Sequence, residues 1–213
     1  MLTPSVIMRK PFSLSLILLL GVMMVVSCSD DKDYPSLITD FVVARTNASG
    51  TVSSVSLDGG GRYDVSAQAI ASSSKDTLLR CIASYTLEGD KMQLYNIAHV
   101  FSSRPRPAED IQTVVDSALH LDTLPRDPLK VVSLWRGGGY INIHLGLMTT
   151  GSDKHSYAFS EDSTGHYSLV HHRPADDAES YTRQVYMSMP IPDSVTTLTF
   201  SVPTYEGIYT RTF

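Results

Sequence analysis

Seven histidines, the carboxylates Glu161-Asp162 and Asp176-Asp177, two glycine runs and a single tryptophan are the residues of this chain whose types and spacing invite chemistry. The histidines are His99, His120, His144, His155, His166, His171 and His172. Zinc takes three or four ligands at short recurrent spacing. His171 and His172 are adjacent, so in a strand they point to opposite faces. His144 and His155 could meet across neighbouring strands, but the sequence indicates no third ligand. Glu161-Asp162 and Asp176-Asp177 sit beside turn residues. A glycosidase pair must face itself across a cleft, about 5–9 Å apart, whereas neighbours in a turn do not. Both pairs are therefore expected in solvated loops. Gly137-Gly138-Gly139 lacks the following helix and Lys-Ser/Thr of a phosphate loop, and is expected to be a tight turn before a strand. Gly59-Gly60-Gly61 reads the same way. No Gly-x-Ser-x-Gly, His-Glu-x-x-His or Cys-x-x-Cys occurs. The expectation is a protein that is not an enzyme, with no catalytic residues, no metal and no cofactor. The aromatic faces of Trp135, Tyr140 and Tyr157 are the candidate ligand contacts, able to stack on a sugar or peptide; the alternative is that the sole tryptophan fills the sandwich core.

The elements that would position these residues are almost all strands. Candidates in the first half are Leu37–Arg45, Thr51–Leu57, Arg62–Ala69, Thr77–Leu87 and Met92–Ser102, separated by turn residues. Five strands in so short a span suit a small barrel. Ser103-Arg104-Pro105-Arg106-Pro107 should break the pattern, because proline donates no ladder hydrogen bond. Ile111, Val114, Val115, Ala118 and Leu119 recur at helical spacing and predict one short helix. Strands resume at Leu129–Arg136, Tyr140–Met148, His155–Ser160, His166–His172, Tyr181–Met189, Thr196–Val202 and Ile208–Phe213, a spacing that favours a sandwich. Tyr140, Asn142 and His144 alternate with Ile141, Ile143 and Leu145, which predicts one buried and one wet face. Cys81 lies in an apolar run and is expected to pack as a small hydrophobe.

The N-terminus has the design of an export signal. Arg9 and Lys10 precede the uncharged run Phe12 to Val26. Fifteen helical residues reach roughly 22 Å, short of the ~30 Å hydrocarbon core, so a spanning anchor fits poorly. Val25-Val26-Ser27-Cys28 resembles the bacterial lipobox, in which cleavage leaves a diacylglycerol-bearing cysteine as the first mature residue. The resemblance implies a signal peptide over 1–27 and lipidation at Cys28, with several acyl chains anchoring the protein to a membrane. Ser29-Asp30-Asp31-Lys32-Asp33 is too charged to bury and should be a solvated tether, 28–36 in extent. It is similar to the acidic export signal of surface-exposed Bacteroidetes lipoproteins, which implies the outer membrane and the cell surface, with the periplasmic face as the alternative. Without residues 1–27 the chain has 15 basic and 22 acidic side chains, a formal net of about −7. A negative chain with no basic cluster excludes nucleic acid as a partner.

Trp135-Arg136-Gly137-Gly138-Gly139-Tyr140-Ile141-Asn142-Ile143 resembles the C-terminal domain of the NigD-like lipoproteins of Bacteroidetes. Lys154-His155 and the closing stretch from Leu198 to Phe213 fit the same pattern. The resemblance implies an all-β chain: a small OB-like barrel with a short connecting helix over 37–125, then a β-sandwich over 126–213. It carries over no catalytic residue. It implies a non-enzymatic binding or interaction module with a protein or glycan ligand, or, following the family name, a bacteriocin-immunity role. Five Asp-Ser/Thr triplets, beginning at Asp76, Asp116, Asp122, Asp162 and Asp193, resemble the O-glycosylation acceptor motif of Bacteroides exported proteins.

Overall fold

The structure is a computed structural model that describes residues 36–66, 74–112, 123–151 and 154–213. The expected signal sequence, Cys28 and most of the expected tether lie outside the described residues, as do most of the expected helix, Asp116-Ser117-Ala118 and Asp122. Residues 37–213 form one compact unit.

Strands β1 (Ile38–Thr46), β2 (Val52–Leu57), β3 (Arg62–Val65), β4 (Leu78–Glu88) and β5 (Lys91–His99) close into a barrel in the order β1-β2-β3-β5-β4. Alternation places every second side chain inside. Val42, Ala44, Val55, Cys81, Ala83, Tyr85, Met92 and Leu94 fill the interior. Cys81 is buried there as expected, and burial pushes its thiol up to about 11, which keeps it protonated. The outward residues of β1 and β4 include Phe41, Arg80 and Ile82, set side by side by the β1–β4 register.

The chain then passes straight into the second half. The strand expected over Met92–Ser102 divides at Val100, whose N–H donates to the Arg80 carbonyl. Phe101–Ser102 (β6) belongs instead to a four-stranded sheet with β8 (Lys130–Gly137), β9 (Tyr140–Thr149) and β12 (Tyr181–Pro190), ordered β6-β12-β9-β8. Arg106–Pro107 (β7), expected only to break the pattern, pairs in parallel with β10. It can do so because it is an edge strand, where the missing proline N–H leaves no ladder bond unmade. β7 joins β10 (Ser156–Ser163), β11 (His166–His172), β13 (Thr199–Thr204) and β14 (Gly207–Thr212) in a five-stranded sheet ordered β14-β13-β11-β10-β7. Ile141, Ile143, Leu145 and Met187 of one sheet meet Phe159, Leu169, Phe200 and Val202 of the other in a common core. This is a sandwich. Both short strands fall within the 37–125 range expected for the barrel domain, yet their ladders belong to the sandwich. A helical turn spans 108–112, with Ile111 buried.

The alternation along β9 is present, but the face expected to be wet is not. Asn142 is fully buried while Tyr140 and His144 are half-buried, because the barrel covers this face of the four-stranded sheet. A period of two distinguishes an apolar face from a polar one. It does not distinguish water from a polar interface.

Candidate functional site

The junction between barrel and sandwich is built on Arg80. Its side chain is 2% exposed, and its two terminal nitrogens donate to both oxygens of Asp58 at 2.6 Å. Nε donates to the Ser188 hydroxyl at 3.1 Å and Nη2 also to the Asn142 side-chain oxygen at 2.8 Å. Asn142 returns its amide N–H to Asp58 at 2.9 Å. The planar guanidinium lies 4.1 Å from the Tyr140 ring centre and 5.3 Å from that of Phe41. A buried charge is tolerated when it is paired and its remaining donors are satisfied, and the planar fork of arginine suits both roles. Asn142 and Ser188 are opposite one another across β9 and β12, so sheet register alone brings them to the same donor.

The glycine run completes the junction. Gly138 and Gly139 have φ of 60° and 80°, the two positive values of a tight hairpin turn. A Cβ on Gly138 would fall 2.2 Å from the Asp58 carboxylate and 3.0 Å from its Cα. The tight turn is as expected, and its second requirement, close approach to the barrel, is visible only in three dimensions.

Beside this network a cleft of about 580 Å³ opens between the two halves, lined by Trp135, Phe41, Tyr186, Asp40, Asp58 and Gly60 among others. Trp135 stands edge-on to Phe41, with ring centres 5.3 Å apart at 79°; Tyr186 meets Phe41 at 6.0 Å and 67°. Asp40 accepts the Tyr85 hydroxyl on Oδ2 at 2.8 Å, and burial together with this bond raises the tyrosine pKa. Of the three candidate aromatics, Trp135 alone lines this cleft. Tyr140 is occupied by Arg80. Tyr157 is half-buried in the sandwich, stacked on His171 at 5.0 Å and packed against Phe101. Its hydroxyl is raised to about 12 by burial, against an opposing pull from Arg183. The three do not form one stacking surface.

His144 and His155, which could have met across neighbouring strands, have separate partners. His144 stacks on Tyr186 and bonds Gln184, whereas His155 reaches His171 and Asp177. Asp177, expected in a solvated loop, is buried. It accepts from the Thr149 hydroxyl, from both the N–H and the hydroxyl of Thr150, and from His155 at 2.5 Å. The Thr149 and Thr150 hydroxyls are the main cause holding its carboxyl well below the usual range. Of the other pair, Asp162 takes the hydroxyls of Ser160 and Ser168. Ser163 and Ser194 of the Asp-Ser triplets are exposed, while Thr77 is half-buried.

A second concavity, of about 720 Å³, lies outside the sequence-based expectations. Exposed Tyr205, Tyr209 and Val132 line it with Glu179, to which Tyr205 donates at 2.9 Å. The signal was present in the two tyrosines that flank the Glu206-Gly207 hairpin tip.

No protein-family model matches the chain, and no curated protein does either. Solved structures do. A NigD-like immunity protein from Bacteroides caccae is 24% identical over 84% of this chain and 93% of its own, with a TM-score of 0.62. A toxin-related protein from Parabacteroides distasonis aligns over 84% and 92% at 15% identity and a TM-score of 0.65. A protein of unknown function from Bacteroides vulgatus covers 83% and 90% at 12% identity and 0.57. The chain thus shares, over nearly all its described length, the barrel-and-sandwich fold of a NigD-like immunity protein.

Proposed function

We propose that this protein is a lipid-anchored, non-enzymatic binding module of the outer membrane whose junctional cleft takes a neutral glycan. The observation that supports this reading is the cleft itself. A pyranose presents apolar C–H faces that stack on aromatic rings and hydroxyls that donate to carboxylates. Trp135 and Tyr186 supply the first kind of surface, and Asp40 supplies the carboxylate, its Oδ2 held by the Tyr85 hydroxyl. A binding role is favoured over hydrolysis because the second carboxylate is already committed. Both oxygens of Asp58 accept from Arg80 and one accepts from Asn142 as well. That leaves no acid–base pair of the kind glycoside hydrolysis requires.

Affinity electrophoresis through gels containing neutral polysaccharides tests the reading. Retardation of the wild type, with normal mobility of Trp135→Ala and Asp40→Ala, is the expected result. Uniform mobility in every gel, or release of reducing ends from a retarding polysaccharide, would overturn it. The anchor has its own test: Cys28→Ala should move the protein from the membrane fraction to the soluble one.

A second reading, bacteriocin immunity, is favoured by the shared fold with a structure described as a NigD-like immunity protein. It rests on fold alone, which does not fix function. A deletion strain that gains sensitivity to bacteriocins of neighbouring strains would support it, and one as resistant as its parent would sink it.

A further inference from the structure

The His155 cluster has no part in the cleft, and its hydrogen bonds determine where its protons lie. His171 Nδ1 faces the Asp127 carbonyl at 2.9 Å, so it must donate. Its Nε2 is then an acceptor, and His155 Nδ1, 3.0 Å away, donates to it. His155 Nε2 faces the Asp177 carboxylate, which already accepts from both threonines, so it donates too. Both ring nitrogens of His155 are therefore donors: an imidazolium between a carboxylate and a neutral imidazole. The result is a directional chain from Asp177 to the main chain at Asp127, with the side chains of His155 and Asp177 at most 1% exposed.

This chain ties together segments that no ladder joins. Asp177 lies in the 173–180 connection between β11 and β12, which has no strand of its own. Its carboxylate grips the end of β9 through Thr149 and Thr150 and the start of β10 through His155. We propose that His155, His171 and Asp177 form an acid-operated latch: closed in neutral medium, it pins the 173–180 connection to the sandwich, and acidification releases that connection before the rest of the fold opens.

The vulnerable atom is His171 Nε2. A proton arriving there turns the acceptor into a donor facing another donor, and sets two cations side by side against one carboxylate. The bond from His155 breaks, and the grip on Asp177 goes with it. Burial already lowers His171 to about 4 from the ordinary 6.5, with the Asp127 carbonyl opposing. Asp177 stays ionised through that range.

The neighbouring charges are placed as follows. Just before β10 stands Lys154, paired with Asp176 of the connection, and from β10 comes Tyr157, stacked on His171. From β11 comes His172, 3.8 Å from the Asp127 carboxylate, which also accepts the Arg173 N–H. Arg126 bridges to His171 through the main chain, Arg183 of β12 faces Tyr157, and Arg173 pairs with Glu179. Of these, the Asp127 carboxylate acts on His171 as a negative charge, and burial outweighs it. Glu179 also forms a wall of the 720 Å³ groove, so opening the latch reshapes that groove.

Hydrogen exchange resolved by peptide, corrected for the intrinsic pH dependence, tests this. Between pH 7 and pH 4 the amides of Thr150 and Asp177 should lose tenfold or more of their protection while those of β4 and β5 keep theirs. His171→Gln offers one donor and one acceptor that do not titrate, and should keep the connection protected at pH 4. Asp177→Asn should lose protection already at pH 7. Equal protection of the wild type at both pH values, loss in β4 and β5 at the same pH, or a His171→Gln variant that opens like the wild type would each overturn the proposal.

Discussion

Two buried polar clusters hold this molecule together, and they differ in whether their cation can be discharged. At the junction the cation is Arg80, a guanidinium, the side-chain cation that proteins do not discharge. In the sandwich it is His155, sustained by a second histidine that must stay neutral. The first kind of cluster is a permanent clamp, suited to keeping two halves of a chain in fixed relation around a cleft. The second is conditional. Both satisfy every group they bury, so burial and hydrogen bonding alone do not tell them apart; the proton inventory does.

The comparison is broken most severely at Arg80. Arg80→Ala leaves Asp58, Asn142 and Ser188 without their common donor. Removing one partner of a buried pair costs about 3–5 kcal/mol, and the 18% exposure of Asp58 points to the lower end. Urea unfolding at pH 7 should show that loss, and its size should be unchanged at pH 5, because an arginine side chain is charged at both values.

The conditional cluster predicts a slope. His171 has a lowered pKa in the fold, so the unfolded chain binds more protons below the ordinary value. Stability therefore rises with pH between about 4 and 6.5, and is lost as pH falls through that window. The unfolding constant should climb close to tenfold per pH unit there. Denaturation midpoints across that range should flatten in His171→Gln and shift in parallel in Arg80→Ala. A slope that survives His171→Gln would assign the acid sensitivity elsewhere.

A smaller effect is expected at the hairpin that touches the clamp. Gly138→Ala adds a side chain at positive φ, about 1–2 kcal/mol by itself, and drives a methyl into Asp58. With about 1 kcal/mol more for the displaced carboxylate, about 2–3 kcal/mol in total should appear in thermal unfolding. The smallest effect concerns Cys81. With its thiol at about 11 and buried in the barrel, alkylation at pH 8 should be negligible in the native protein and complete in denaturant.

Most strands could be placed from sequence because alternation of the Tyr140–Leu145 kind is written residue by residue. What could not be placed depends on long-range partners. Asp177 sits among turn residues and looked solvated; nothing local says that Thr149, Thr150 and His155 converge on it. Asn142 carries a polar side chain and looked wet; its burial depends on Arg80, 62 positions away. Phe101 continued an apolar run and looked like barrel, yet its ladder partner is Met187. Trp135 stands out in the sequence as a sole tryptophan beside a glycine turn, and it does line a cleft. Tyr140 and Tyr157 were grouped with it by residue type alone, and the fold gives each a different neighbour.

Because Trp135 is the only tryptophan in the chain, its fluorescence reports on the junctional cleft. Titrating the intact protein with a retarding neutral oligosaccharide should give a saturable change in tryptophan emission, absent in Asp40→Ala. Saturable binding measured calorimetrically with no change in emission would contradict the account and move the site away from the cleft.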